Sequence, residues 1–142
     1  MDLLLIVRDA LASSVASSLL TAIQAKAAGR QVAVLFTQEA LAAAARGSFA
    51  WPRELSGQEM RLTIADRGAA NGLPVSGRGE GRQLDVKGLF ARAQETGVTL
   101  YACPLWASLL GLSGTLPRGL QALDTDAALR LIEDAKRVVG CL

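Results

Sequence analysis

What most constrains this chain is its rhythm of short, unbroken apolar runs separated by amphipathic stretches of helix length. Leu3 to Val7 contains no polar residue, the pattern of a strand buried on both faces of a parallel sheet. Leu11, Val15, Leu19 and Ile23 then recur at helical spacing among Ser and Ala, and Gly29 supplies a stop. Val32 to Phe36 is a second run of the same kind, and Gln38 to Arg46 reads as an alanine-rich helix. Strands alternating with helices in this way are expected to be parallel.

The second half repeats the rhythm. Asp85 is placed to cap a helix carrying Val86, Leu89, Phe90 and Ala93 on one face, with Gly97 at its end. Val98 to Ala102 reads as a strand and Cys103-Pro104 as a junction. Leu105 to Leu112 reads as a short helix with Leu105, Leu109 and Leu112 inward. Leu120 to Leu123 is a weak strand, and Asp124 or Thr125 caps a helix burying Ala128, Leu129, Ile132 and Ala135. Val138 to Leu142 forms a last strand. The pattern predicts one α/β domain over 1–142: an open, mostly parallel, flavodoxin-like sheet of about five strands with helices on both faces. A chain of 142 residues is long enough to bury such a core without disulfides or metals.

The stretch 47–84 departs from the pattern. Seven of the 14 glycines and six arginines lie between Arg46 and Arg82, so this region reads as a Gly/Arg-rich insert. Ser56 and Glu59 stand at capping-box spacing ahead of Met60 and Ile64, with Gly68 near the end of that helix. The remainder, Ala69 to Gln83, reads as a mobile loop. Its Gly-Arg run follows no strand and matches no phosphate-loop fingerprint.

Composition then narrows the chemistry. The chain has no histidine, which excludes an imidazole base, a histidine ligand and a Ser-His-Asp triad. Two cysteines cannot complete a structural zinc site, so no metal is expected. A net charge of +2 and six aromatic residues give little basis for nucleic-acid binding. The apolar opening run is too short for a signal-peptide core, and no stretch reaches membrane-spanning length; a cytoplasmic protein with reduced thiols is expected, with no membrane partner.

The thiol chemistry that remains points to Cys103. It stands at the carboxyl end of its predicted strand, where ligands of open parallel sheets bind. Pro104 suits the first helical position, which puts Cys103 at the N-cap, where free backbone N–H groups favour a thiolate. A lone cysteine in an apolar setting is also an ordinary packing residue, and Cys141, between Val139 and Leu142, reads as core. Trp51 and Trp106 read either as core or as walls of a pocket near Cys103, and only Trp106, three residues beyond the cysteine, has a sequence reason to be close. Ser13 and Ser14, after the first strand, offer hydroxyls and a helix N-terminus to an anion, although they are more simply small polar residues on a closely packed helix. That turn lacks the glycine and hydroxyl-rich order of a flavodoxin phosphate loop, so no flavin or other cofactor is expected. In a second reading, Cys103 is structural and a small anion or nucleotide binds near Arg53, Arg61 or Arg78. In a third, the chain is an oligomeric interaction subunit.

The opening strand, the run Ala27-Ala28-Gly29-Arg30-Gln31-Val32-Ala33-Val34-Leu35-Phe36, and above all Gly97-Val98-Thr99-Leu100-Tyr101-Ala102-Cys103 resemble the DsrE/DsrF-like family of small sulfur-relay proteins. Leu116-Pro117-Arg118-Gly119 and Val138-Val139-Gly140 are similar too. The resemblance covers about 100 residues and leaves out the insert. It implies a flavodoxin-like fold, a homo-oligomer, and sulfane sulfur carried as a persulfide on Cys103, exchanged with a sulfur donor or acceptor protein or a small persulfide. Pro104 and Trp106 depart from the small or polar residues that the resemblance leads one to expect after the cysteine.

Overall fold

The computed structural model describes residues 1–140. Its main sheet contains β1 (Leu3–Val7), β2 (Val32–Phe36), β5 (Thr99–Ala102) and β6 (Val138–Val139), in the order β5-β2-β1-β6 with every pairing parallel. A second, two-stranded antiparallel sheet pairs β3 (Val75–Ser76) with β4 (Gln83–Leu84). The α/β class and the single-domain, flavodoxin-like parallel sheet expected from the sequence are therefore present.

The strand count differs. Leu120 to Leu123 contributes one parallel bridge, Gln121 beside Tyr101, held by Gln121 N–H to Leu100 O (2.8 Å) and Ala102 N–H to Gln121 O (3.0 Å). The main sheet thus has four strands, with a single-residue fifth position at the β5 edge. Gly119 enters that bridge with φ +92° and has the Gln94 side-chain amide packed where a Cβ would stand, so the chain turns too sharply there to sustain a strand. Among the described residues the last strand covers Val138–Val139; Cys141 and Leu142, the end of the expected run, lie outside them.

The helices are α1 (Ala12–Ala27), α2 (Gln38–Arg46), α3 (Gln58–Ala70), α4 (Val86–Glu95), α5 (Pro104–Leu109) and α6 (Thr125–Asp134). From β1 through β2 and β5 to Gln121 the chain steps in one direction across the sheet, so right-handed crossovers gather their helices on one face. The step back to β6 reverses direction and places α6 on the other face. Strand alternation follows this division. Leu5, Val7, Val34, Phe36 and Leu100 join α1, α2 and α4 in one large cluster, while Leu4, Ala33 and Leu35 meet Leu131 of α6 and its C-cap residue Ala135 in a small one.

Several local expectations hold and others do not. Asp85 accepts from Gly88 N–H (3.0 Å) and Asp124, not Thr125, from Ala127 N–H (2.7 Å), so two caps fall where the sequence puts them. The Ser56–Glu59 capping box is absent. Gly57 is the N-cap of α3, and the Ser56 hydroxyl donates to Arg53 O instead (3.0 Å). Leu105 and Leu109, expected inward, are 62% and 64% exposed, and Leu129 and Ile132 also face outward. The apolar stripe of α6 is wider than the single sheet face it meets, so Leu131 and Ala135 take the contact and their apolar neighbours are left outside.

The segment 69–83, expected as a loop, carries regular structure. The Arg82 guanidinium forms a two-pronged pair with Asp66 (2.7 and 2.9 Å) and donates to Gly79 O (2.5 Å); Arg61 donates to Glu80 O (2.6 Å) and Arg82 O (3.2 Å). Guanidinium groups satisfying turn carbonyls substitute for the apolar packing this glycine-rich stretch lacks. Arg82 holds the Asp66 carboxyl below its ordinary range, chiefly through that hydrogen bond.

Candidate functional site

The carboxyl ends of the strands set the site. Registers Val7 to Phe36 and Phe36 to Ala102 put the next residues, Arg8, Thr37 and Cys103, in one row across the sheet. Backbone bonds stitch that row: Thr37 N–H to Val7 O (3.0 Å) and Cys103 N–H to Phe36 O (2.9 Å). With strands about 4.8 Å apart, Cys103 stands about 10 Å from Arg8, with Thr37 between them.

Cys103 is the N-cap of α5, with Pro104 at the first helical position, as the sequence predicts. Its backbone is extended (φ −61°, ψ 124°), and its carbonyl accepts from Ala107 N–H (2.8 Å). The thiol is free and partly exposed, packing against the small cluster on the α6 face. Pro104, half-buried, and Ala102 line a hollow of about 140 Å³ with Ala107, Ser113, Leu116 and Leu123. That hollow is small and open on one side; its lining takes the residues before and after Cys103 but not Cys103 itself, whose side chain lies with the small cluster.

The other expected site residues do not gather here. Trp106 packs on the large cluster, while Cys103 belongs to the small one across the sheet. Ser13 and Ser14 lie in the first turn of α1, which buries its apolar side in that same large cluster. The Ser14 carbonyl accepts from the buried Ser18 hydroxyl (3.0 Å), the role of a small residue on a close-packed helix. Trp51 also belongs to the large cluster. Of the arginines in the anion-binding reading, Arg61 is committed to hairpin carbonyls, and Arg53 and Arg78 flank separate short 3₁₀ turns. The reversal of strand order, where Rossmann-type ligands bind, falls between β1 and β6, two strands from β5.

One residue of the row and the residue after it escape a reading of the sequence. Thr37, buried at 8% exposure, is the N-cap of α2 without a side-chain cap bond, so its hydroxyl is not spent on the helix. Gln38 has φ +52°, the one non-glycine residue in left-handed territory among the described residues. A β-strand that passes straight into a helix through such a residue projects the side chain out of the strand end, and residues held this way cluster at functional sites. The signal available was a cap-type threonine directly after an apolar run; the φ of Gln38 leaves no mark in the sequence.

The fold and site together define a class: a small parallel α/β protein with one half-exposed cysteine capping a helix at the carboxyl edge of its sheet. No family model matches the chain, and no curated protein matches it in sequence. Among solved structures it is similar to the YchN protein from E. coli, with a TM-score of 0.61 at 15% identity over 99% of both chains. It is also similar to a conserved protein of unknown function from Bacteroides thetaiotaomicron, with a TM-score of 0.53 at 10% identity, covering 98% of this chain and 94% of that one. At these identities the likenesses show the fold. No helix among the described residues is long and apolar enough to cross a membrane.

Proposed function

We propose that this protein is a sulfur carrier of the DsrE/DsrF kind, holding sulfane sulfur on Cys103. The observation that carries the reading is a free, partly exposed thiol at a strand-to-helix junction. The residues Gly97 to Cys103, which carry the family resemblance, form the approach to that junction.

In the transfer, the Cys103 thiolate attacks the outer sulfur of a donor persulfide. The Cys103 Sγ–S bond forms, the donor S–S bond breaks, and the donor leaves as a thiolate. The proton stays on the terminal sulfur or passes to solvent, and no net oxidation occurs. With no histidine in the chain, the backbone N–H groups at the start of α5 and the Thr37 hydroxyl are the groups nearest along the row to meet the anion. Pro104 fixes the helix start. The donor or acceptor is a protein or a small persulfide, and a reducing cytoplasm is the matching compartment.

The uncovered apolar surface of α5 and α6 supports a homo-oligomer as part of the same reading, because an apolar face is complementary to a second copy of itself. Incubating the protein with a persulfide donor and measuring intact mass tests the carrier role. One sulfur atom should add to the wild type and to Cys141→Ser and none to Cys103→Ser; an unmodified Cys103 would sink the reading.

A further inference from the structure

Away from the cysteine junction, α2, α4 and the turn before Gln121 enclose a hollow of about 350 Å³. This is within the size range of small-molecule sites. Its floor is apolar and aromatic. The Phe90 ring stacks on Phe36 (centroids 5.1 Å apart, 30° between planes) and on Phe49 (5.7 Å, 22°), and Pro117 and Leu120 complete the lining. Because Phe36 is fully buried, this stack is anchored in the core and its outer rings are held in place.

The rim is cationic. Lys87 and Arg118 line the hollow, no carboxylate does, and neither cation forms an ion pair among the described residues. Both are positioned by their surroundings. Lys87 and Phe90 share one side of α4 at i, i+3 spacing, and the Lys87 stem crosses Gly47 so closely that a Cβ there would fall 2.9 Å from its Cε. Arg118 precedes Gly119, whose packing against Gln94 fixes the turn onto α4. The carbonyl end of α2 brings about half a negative charge to Gly47. Arg46, Lys87 and Arg118 together outweigh it.

We propose that this hollow binds a small amphipathic organic anion: a flat aromatic ring seated against Phe49 and Phe90, bearing one carboxylate or phosphate held between Lys87 and Arg118. The site is separate from the Cys103 junction and stands whether or not that cysteine carries sulfur. An adjoining hollow of about 360 Å³, which shares Gly47, Phe49 and Lys87, runs on toward Trp51 and has the Asp85 carboxylate on its wall, so the anionic group belongs at the Arg118 end of the space.

Amide-shift titration of the ¹⁵N-labelled full chain with 1-naphthoate, and with neutral 1-naphthylmethanol as its uncharged counterpart, tests the proposal. Naphthoate should shift the signals of Gly47, Phe49, Phe90 and Gly119, with the alcohol binding about tenfold more weakly. Lys87→Ala with Arg118→Ala, both on exposed side chains, should remove about the same factor while leaving the remaining spectrum in place. Shifts confined to residues 105–110 and 129–132, equal affinity for acid and alcohol, an unaffected double variant, or no shifts at all would each overturn it.

Discussion

On the face of the sheet that carries α1 and α4, Leu5, Leu19, Val34, Phe36 and Leu89 are almost wholly removed from water. On the other face only Leu4, Ala33 and Leu35 are buried, under α6. Leu129 and Ile132 of α6 and Val138 of β6 stay in contact with solvent there, as do Leu105 and Leu109 on the outer side of α5, whose inner side packs on the first face. The same strands supply both faces, and their residues are equally apolar. What differs is the number of crossovers: three steps in one direction stack their helices on the first face, and one step back leaves a single ten-residue helix for the second. A parallel sheet needs cover on both faces, so the unevenness teaches that the fold of one chain leaves part of its own hydrophobic surface unspent.

The largest expected effect separates the two faces directly. Leu89→Ala should cost about 3 kcal/mol in denaturant unfolding, since a fully buried leucine leaves a cavity behind. Leu129→Ala should change stability by less than about 0.5 kcal/mol when measured on the monomer. Similar costs for the two would break the distinction. Next in size is assembly. Leu109→Asp combined with Leu129→Asp should reduce the mass seen by light scattering to that of one chain, with the circular dichroism spectrum retained. An unchanged mass would show that the exposed face is not where copies meet.

The smallest effect concerns the tether of the return crossover. Lys136 Nζ donates to Asp2 Oδ1 (2.8 Å) and Gln31 N–H donates to Asp2 Oδ2 (2.8 Å), joining the α6–β6 connection to the start of β1 and to the residue before β2. These bonds, the Lys136 ammonium foremost, hold the Asp2 carboxyl below its ordinary value of 3.8. A depressed folded value means the contribution is complete above the unfolded value and is lost as pH falls through the folded one. The stability difference between wild type and Asp2→Asn should therefore be present at neutral pH and vanish on acidification below 3.8. The Lys136 side chain is exposed and that of Asp2 partly so, and the difference should therefore be small and weaken with added salt, a pattern that chemical denaturation at several pH values and salt concentrations would reveal.

Much of the fold was legible because its signals are local. The runs Leu3 to Val7 and Val32 to Phe36 announce buried strands without reference to their partners, and Asp85 and Asp124 announce helix starts. Cys103 was placed correctly at its junction for the same reason: strand, cysteine and proline are consecutive. The misreadings share a different cause. Leu105, Leu109, Leu129 and Ile132 have the spacing of buried residues, and spacing says which residues share a side but not whether anything lies opposite. Ser56 has the sequence of a capping box, and its hydroxyl found the Arg53 carbonyl first. The glycine-rich stretch up to Gln83 looked unstructured because its order comes from Arg61 and Arg82 reaching across 16 to 21 residues.

The sequence by itself determined the kind of elements, their order and parallel sense, the exclusion of imidazole chemistry, and the thiol at the end of β5. Those properties depend on residue type and near-neighbour spacing, which the chain states outright. The tertiary structure alone decided that β6 returns beside β1 and leaves one sheet face thinly covered. It also decided that Thr37 stands beside Cys103, while Ser13, Ser14 and Trp106 belong to elements packed on the opposite face. Each of these depends on which strands become neighbours, and that is settled by burial summed over the whole chain rather than by any one segment.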